Sequence, residues 1–376
     1  MVHSTRPQKK GECKKMIREL LGERKLPELL KMNNGEAVTS DNFDLRRTEL
    51  IDLLAKYEYG RIPEKIGETT FVEKYSGDFC AGKAIERRVE ITFPTPDGDS
   101  FTFPITTVTP ADASCENKKA AFVYISFGNR YYYPIEEVSD SDVIVAEMVM
   151  NDVSLDQNDG FANLMDLHYF KNGKRAPDDS GKIGMWAFAA SRVLDYLLSL
   201  DYVDETRVGV MGHSRLGKTA LWAGANDERF THIFSNEAGC SGDAITRGKI
   251  GETFPRIASV FPYWFCENMQ EISKSVEDSE KAPFDQHFLL AACAPRKLYV
   301  SSAALDQWAD PNSQYLACAA ASPAWEIFGK RGFVHPDALP IEWDRFADGD
   351  IGYHLRPGKH WLSRHDWVRF IEFLKK

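Results

Sequence analysis

A serine flanked by small residues at the end of an apolar run is the first position in this chain that invites chemistry. The stretch GVMGHSRLGKTALWAGANDERF spans Gly209 to Phe230, and the apolar segment from Arg207 to Met211 stops at Gly212, just before Ser214. A helical pattern carried by Ala220, Leu221 and Ala223 follows Lys218. A strand that turns sharply into a helix lifts a serine hydroxyl clear of the backbone, the geometry of a nucleophile elbow. The same placement suits a serine that only caps the helix. Arg215 and Leu216 intervene before Gly217, one residue more than the usual elbow has, so the motif by itself leaves both readings open.

A serine hydroxyl is a weak nucleophile at neutral pH. It needs an imidazole to accept its proton and a carboxylate to orient that imidazole. In a strand-turn-helix arrangement both partners follow the serine in the chain. Of the histidines that do, His232 lies inside the apolar run THIFSN and His287 opens the apolar HFLLAACAP, which suits packing. His354 alternates within the strand-like GYHLR, and His365 falls in the first turn of the helix-like SRHDWVRFIEFL. His360, in the connecting loop PGKH, is the position from which a base hangs over a nucleophile. Two carboxylates compete for the acid role: Glu237 in SNEAGCSGD and Asp306 in SSAALDQWADP, each directly after a strand-like run. Arg215 could set a guanidinium against a developing oxyanion, where one donor contributes on the order of 3 kcal/mol, or form a salt bridge along its helix. Lys218, a turn later, faces the same cleft and suits a hydroxylated or anionic substrate.

These residues need elements to bring them together. From Lys15 to about Tyr59 the periodicity predicts helix through Leu20, Leu21, Leu29 and Leu30, then Leu50, Leu53, Leu54 and Tyr57, interrupted by MNNGEAVTSDN and ended by Gly60 and Pro63. Ala84 to Phe93 and Ser100 to Val108, joined by PTPDGD, predict an antiparallel hairpin at a sheet edge. Beyond it AAFVYISF, DVIVAEMVM, RVGVM, THIFSN and RKLYVSS alternate with helical segments, the clearest from Ile183 to Leu200. That alternation predicts a mostly parallel sheet covered on both faces. Ligands of such sheets sit beyond the carboxyl ends of the strands, where Ser214 falls. The polar segment from Asn151 to Gly181 predicts a loop that shapes the site. One α/β domain accounts for the pattern, with residues 1–62 as an N-terminal helical wrap and 63–376 as the core.

Composition narrows the function classes. A chain of 376 residues with 43% hydrophobic content can bury a large core. Its formal charge of −10 argues against nucleic acid, whose phosphates need a basic surface. Lys9, Lys10, Lys14 and Lys15 form a small basic cluster that reads as a solvated helix start. No apolar run reaches the roughly 18 residues that span a bilayer, and the N-terminal segment has no apolar signal core. The expectation is a cytoplasmic protein with no membrane partner, or an exported one whose leader has been removed. Seven scattered cysteines without a Cys-x-x-Cys pair fit reduced thiols, and neither a metal nor another cofactor is expected.

On these residues the sequence resembles a known family. GHSRLGK is similar to the Gly-Cys-Ser-Arg-x-Gly-Lys signature of the glucuronoyl esterases, carbohydrate esterases of the α/β-hydrolase superfamily that cleave 4-O-methyl-glucuronate esters linking xylan to lignin alcohols. The similarity continues through SNEAGCSG, GETF, FPYWF, APRKLYV, DQWADP and GYHLRPGKH, in the manner of a bacterial-type member. The resemblance implies an α/β-hydrolase three-layer sandwich and two-step acyl transfer through Ser214, with His360 as base, Glu237 as triad acid and Arg215 stabilising the oxyanion. It implies that Asp306 is a second acid, supporting or replacing Glu237, and that Lys218, Glu252 and Trp308 contact the uronate sugar. His213 and Trp361 stand where fungal-type members carry two cysteines that form a disulfide, and Phe261 stands where they carry a sugar-binding glutamate. An acetyl-xylan esterase on the same scaffold and a catalytically idle carbohydrate-binding homologue are the alternative readings.

Overall fold

The apolar runs become strands and the amphipathic segments between them become helices, as short buried runs between helical patterns require. The computed structural model describes residues 16–128 and 133–376, so the basic cluster of Lys9, Lys10, Lys14 and Lys15 lies outside the described residues. Among those residues one sheet is built from β1 (Thr70–Phe79), β2 (Ala84–Pro94), β3 (Ser100–Pro110), β4 (Lys119–Ser126), β5 (Val143–Val149), β6 (Val203–His213), β7 (His232–Asn236), β8 (Lys297–Ala303), β9 (Arg345–Phe346) and β10 (Ile351–Arg356). Their order is β1-β2-β3-β5-β4-β6-β7-β8-β10-β9. From β5 to β10 the neighbours run parallel. β1, β2 and β3 are antiparallel to one another, and β3 joins β5 antiparallel.

The central strands show why two helical layers are needed. Along β4, Ala121, Val123 and Ile125 belong to one core with the helices Lys182–Leu198 and Arg215–Asn226, while Ala120, Phe122 and Tyr124 face the other way. There they meet Trp367, Phe370 and Phe373 of the closing helix Arg364–Leu374. Side chains alternate across a strand, so a strand apolar on both faces demands cover on both. The result is the three-layer α/β sandwich expected, with an antiparallel edge.

Two expectations are corrected. The expected hairpin of β2 and β3 forms, with Phe93 opposite Phe101, but β1 lies outside it and is the true edge. β1 went unread because TFVEKYSGDF is exposed along most of its length and shows no period-two pattern. The N-terminal wrap is helical over Ile17–Arg24 and Phe43–Leu54, yet Leu29 and Leu30 lie in the turns between. Pro27 lacks the N–H that a continuing helix would need.

The wrap ends in a π-helical turn, Ala55–Tyr59, closed by Gly60 at φ +81°. A β-carbon at Gly60 would overlap the Asp179 carbonyl, so the tight approach belongs to glycine. Tyr59 stacks on Trp222 of the helix that follows Ser214, with ring centroids 4.8 Å apart, and its hydroxyl donates to the Ser241 carbonyl at 2.7 Å. The wrap thereby braces the nucleophile helix. Among the described residues no helix is long and apolar enough to cross a membrane. The segment 151–181 contains one short α-helix, Leu164–Tyr169, and the 3-10 turn Lys171–Gly173, follows another 3-10 turn at Met150–Asp152, and is otherwise mostly turn and loop.

Tyr59→Phe removes one buried hydrogen bond and strands a carbonyl, at an expected cost of about 1–2 kcal/mol. The check is the midpoint of denaturant unfolding; a midpoint equal to the wild type would show that the hydroxyl contributes nothing to the bracing.

Candidate active site

Ser214 follows β6 at φ +59° and ψ −124°, directly before the helix Arg215–Asn226. A left-handed φ is unfavourable for a residue with a β-carbon and persists only where its surroundings fix it. Here the Ser214 N–H donates to the Asn236 carbonyl at 2.8 Å, and its own carbonyl accepts from Gly217 and Lys218 at 2.9 and 3.2 Å. A β-carbon at Gly212 would collide with the Leu216 backbone, and one at Gly217 would press on Ala238 and Ser235. The two glycines therefore permit the turn despite the extra residue. The Ser214 side chain makes no capping hydrogen bond to the helix, which removes the observation a capping role would need.

His360 lies in the loop after β10, beside Gly358 at φ +105°. Its Nδ1 is 2.6 Å from Asp306 Oδ2 and 3.2 Å from Glu237 Oε2. Asp306 stands at the end of β8, with its Oδ1 accepting from Ala309 N–H at 3.3 Å. Glu237 follows β7 at φ +51° and donates its N–H to the Ser301 carbonyl at 2.9 Å. Its carboxylate accepts from Arg356 Nη2 at 2.5 Å and from Trp361 N–H at 3.0 Å. Both candidate acids thus reach the same nitrogen, and Asp306 makes the shorter bond.

The proton distribution follows from this packing. Burial works to lower the His360 pKa, but the hydrogen bonds and charges of Asp306 and Glu237 overcome it and carry it up to about 9. Burial also opposes ionisation of Asp306, yet the His360 ring holds that carboxyl below the ordinary carboxylate range. Burial pushes Glu237 up to about 7 against the pull of His360 and Arg356. Asp306 is accordingly the carboxylate that stays charged opposite the ring.

Arg215 lines the same cavity. Its Nη1 pairs with Asp156 Oδ2, whose other oxygen accepts from the Trp264 indole N–H at 2.7 Å. The guanidinium lies 4.6 Å from the Trp264 ring and 5.6 Å from Phe261 and Phe127. Its Nε is buried and has no hydrogen-bond partner among the described residues, while the side chain as a whole is among those that line the cavity. The buried Lys218 ammonium donates to the Ala238 carbonyl, and burial pulls its pKa down. Glu252 is tied through its N–H to the Trp308 carbonyl at 3.0 Å, and Gly251, at φ +74°, allows that approach. Trp308 is 54% exposed at the rim.

Ser214, Arg215, Lys218, Glu237, Glu252, Asp306, Trp308 and His360 therefore border one cavity of about 310 Å³, with Phe261 and Trp264 as its apolar wall. That is the lower end of the size of ligand pockets, roughly 300–1,000 Å³. All eight site residues expected from the sequence meet there. His232, His287 and His354 are buried in packing positions, His354 bonding Asp366 at 2.8 Å. Sequence reasoning missed Asp156, Trp264 and Arg356. Only the loop character of 151–181 pointed towards Asp156, and no spacing marked it. The ligand atoms of Glu237, Asp306 and His360 also lie within 4.8 Å of one another, as in a metal site. The hydrogen bond to His360, with Arg356 and the Trp361 N–H taking up Glu237, accounts for that closeness by itself.

Comparison with known proteins gives a consistent set of similarities. The family model described as "Glucuronyl esterase, fungi" matches residues 95–329. Carbohydrate esterase MZ0003, from an unknown prokaryotic organism, is 33% identical over 93% of this chain and 88% of its own length. The 4-O-methyl-glucuronoyl methylesterase of Hypocrea jecorina is 30% identical over 81% of this chain, which spans 62% of that protein. The solved glucuronoyl esterase from Solibacter usitatus superposes with a TM-score of 0.84 at 32% identity, covering 93% of this chain and 97% of that one.

The two carboxylates differ in their hold on the ring, and NMR titration of the His360 imidazole separates them. The wild-type ring is expected to titrate near 9, Asp306→Asn to bring it down furthest, and Glu237→Gln to bring it down less. A larger fall in Glu237→Gln would reverse the ranking. The stability arising from this raised pKa is full below the unfolded value of about 6.5 and is lost as pH rises through 9.

Proposed function

The chain belongs to the glucuronoyl esterase family, and on that premise we propose that Ser214 is its nucleophile, His360 the base and Asp306, seconded by Glu237, the acid. The enzyme is a carboxylic ester hydrolase, and the substrates that fit are esters of glucuronic or 4-O-methyl-glucuronic acid on xylan-derived saccharides. One observation carries the reading: an imidazole held at 2.6 Å by a carboxylate borders the cavity into which a strained serine turns.

The chemistry follows from the groups present. With the His360 ring in its neutral form, Ser214 Oγ attacks the ester carbonyl carbon while its proton passes to the His360 nitrogen that faces away from Asp306. The carbonyl oxygen takes up negative charge, and the Arg215 guanidinium supports it. Collapse of the tetrahedral intermediate breaks the bond to the alcohol oxygen, which leaves with the proton from His360. Water, deprotonated by the same ring, then attacks the acyl-serine and releases the uronic acid. No step calls on a metal or another cofactor. Asp306 keeps the ring's proton on Nδ1 and stabilises the imidazolium that forms. Lys218, Glu252 and Trp308 supply an ammonium, a carboxylate and an aromatic face for a hydroxylated ring. An acetyl group would leave these three unused, and a mere binder would have no use for a strained serine beside a polarised imidazole.

Hydrolysis of benzyl glucuronate should exceed that of an aryl acetate in kcat/KM; strong preference for the acetate would reject the uronate assignment. Ser214→Ala is expected to abolish turnover. Arg215→Met should lower kcat by about 10²-fold or more, the scale of one oxyanion donor, and a variant that loses only KM would remove Arg215 from the transition state.

A further inference from the structure

His213 closes β6 immediately before Ser214 and takes no part in the steps above. Its ring is buried, and it lies 4.5 Å from the His360 ring, centroid to centroid, at an interplanar angle of 43°. Its Nδ1 is 2.5 Å from Asn236 Oδ1. Asn236 is held in turn, because its Nδ2 donates to Ser301 Oγ at 2.7 Å and its carbonyl accepts from Ser214 N–H. With that amide nitrogen committed to Ser301, the oxygen faces His213, so His213 Nδ1 carries the ring's proton. Phe127 packs edge-on against the same ring, 6.3 Å away.

His360 is placed less firmly. Its side chain is 42% exposed on a loop, and a hydrogen bond at Nδ1 fixes one ring atom while leaving the ring free to swing about it. A contact against the body of the ring removes that freedom. We propose that His213 is a positioning residue for His360, a fixed neutral imidazole against which the catalytic ring rests so that its outer nitrogen stays aimed at Ser214. The inference rests on His360 being the base. Burial first, and then the charge on His360, push the His213 pKa down to about 3, so the seat does not compete for the transferred proton. Among the described residues, Asp306, Glu237, Arg356 and Asp366 are charged groups that act on the two rings.

The test uses the full chain with benzyl glucuronate and three variants: His213→Ala, His213→Leu and His213→Phe. A misplaced base costs on the order of 10- to 100-fold. Ala and Leu should lower kcat by that factor with KM within about threefold, and Phe, which restores a flat ring, should recover most of it. In Ala, water entering the vacated space relieves the burial that lowers the His360 pKa, so the acidic limb of the kcat profile should move up. Should Ala fail to fold, Leu against Phe decides, since both fill the site and only one is flat. Wild-type kcat in Leu, or Phe no better than Leu, overturns the proposal. If that happens while Ser214→Ala and His360→Ala are dead, the esterase reading stands and only the seat is lost; turnover in Ser214→Ala sinks the reading itself.

Discussion

One imidazole shared by two carboxylates is the constraint around which this molecule is arranged. Two carboxyl groups within 3.2 Å of the same nitrogen repel each other when both are ionised, and both are buried. Buried charge is tolerated only when it is paired and hydrogen-bonded. Arg356 resolves the conflict. One of its nitrogens takes Glu237 at 2.5 Å while Nε takes Asp366 at 3.0 Å, and Asp366 also accepts from His354. The chain of charge runs from β8 through the His360 loop to β7, β10 and the closing helix. That helix is thereby tied to the His360 cluster as well as covering the sheet.

The backbone repeats this interlock. Ser214 and Glu237 both carry positive φ, and they follow the neighbouring parallel strands β6 and β7. The Ser214 N–H bonds to Asn236 on β7, and the Glu237 N–H bonds to Ser301 on β8. Each strained residue is thus held by the end of the next strand over. Parallel strands all present their carboxyl ends on one side, so the sheet supplies these anchors without extra elements. The strain sits where the surrounding sheet is stiff, which is the condition for its survival.

How much of this the sequence discloses depends on whether a feature is set by topology or by packing. Ser214 and Glu237 were legible because each directly follows an apolar strand, and Asp306 because it lies just beyond another, since parallel topology brings such positions together. His360 was legible because a loop between a final strand and a final helix leaves it few places to go. The ranking of the acids was not legible, since 2.6 Å against 3.2 Å is a matter of side-chain packing. Asp156 and Arg356 escaped for the same reason: their partners lie 59 and 119 positions away in sequence. β1 escaped because an exposed edge strand has no buried face to impose a period, and Leu29 and Leu30 misled because apolar spacing continued past a proline that ended the helix.

The pairing of Arg215 with Asp156 completes the electrostatic logic. Ester hydrolysis converts a neutral acyl group into a carboxylate, so with Ser214 in its proposed role a bare guanidinium beside it would stabilise the product along with the transition state. Product held that tightly leaves slowly, and its release then limits turnover. With Asp156 on Nη1 the pair is formally neutral, while the guanidinium, packed among Phe127, Phe261 and Trp264, still lines the cavity as a donor. A low-dielectric wall strengthens that donor's interaction with charge developing close by, and the neutral pair leaves little net field to retain the acid once it has formed. The aromatic residue at position 261, where a carboxylate would add charge of its own, keeps this balance intact.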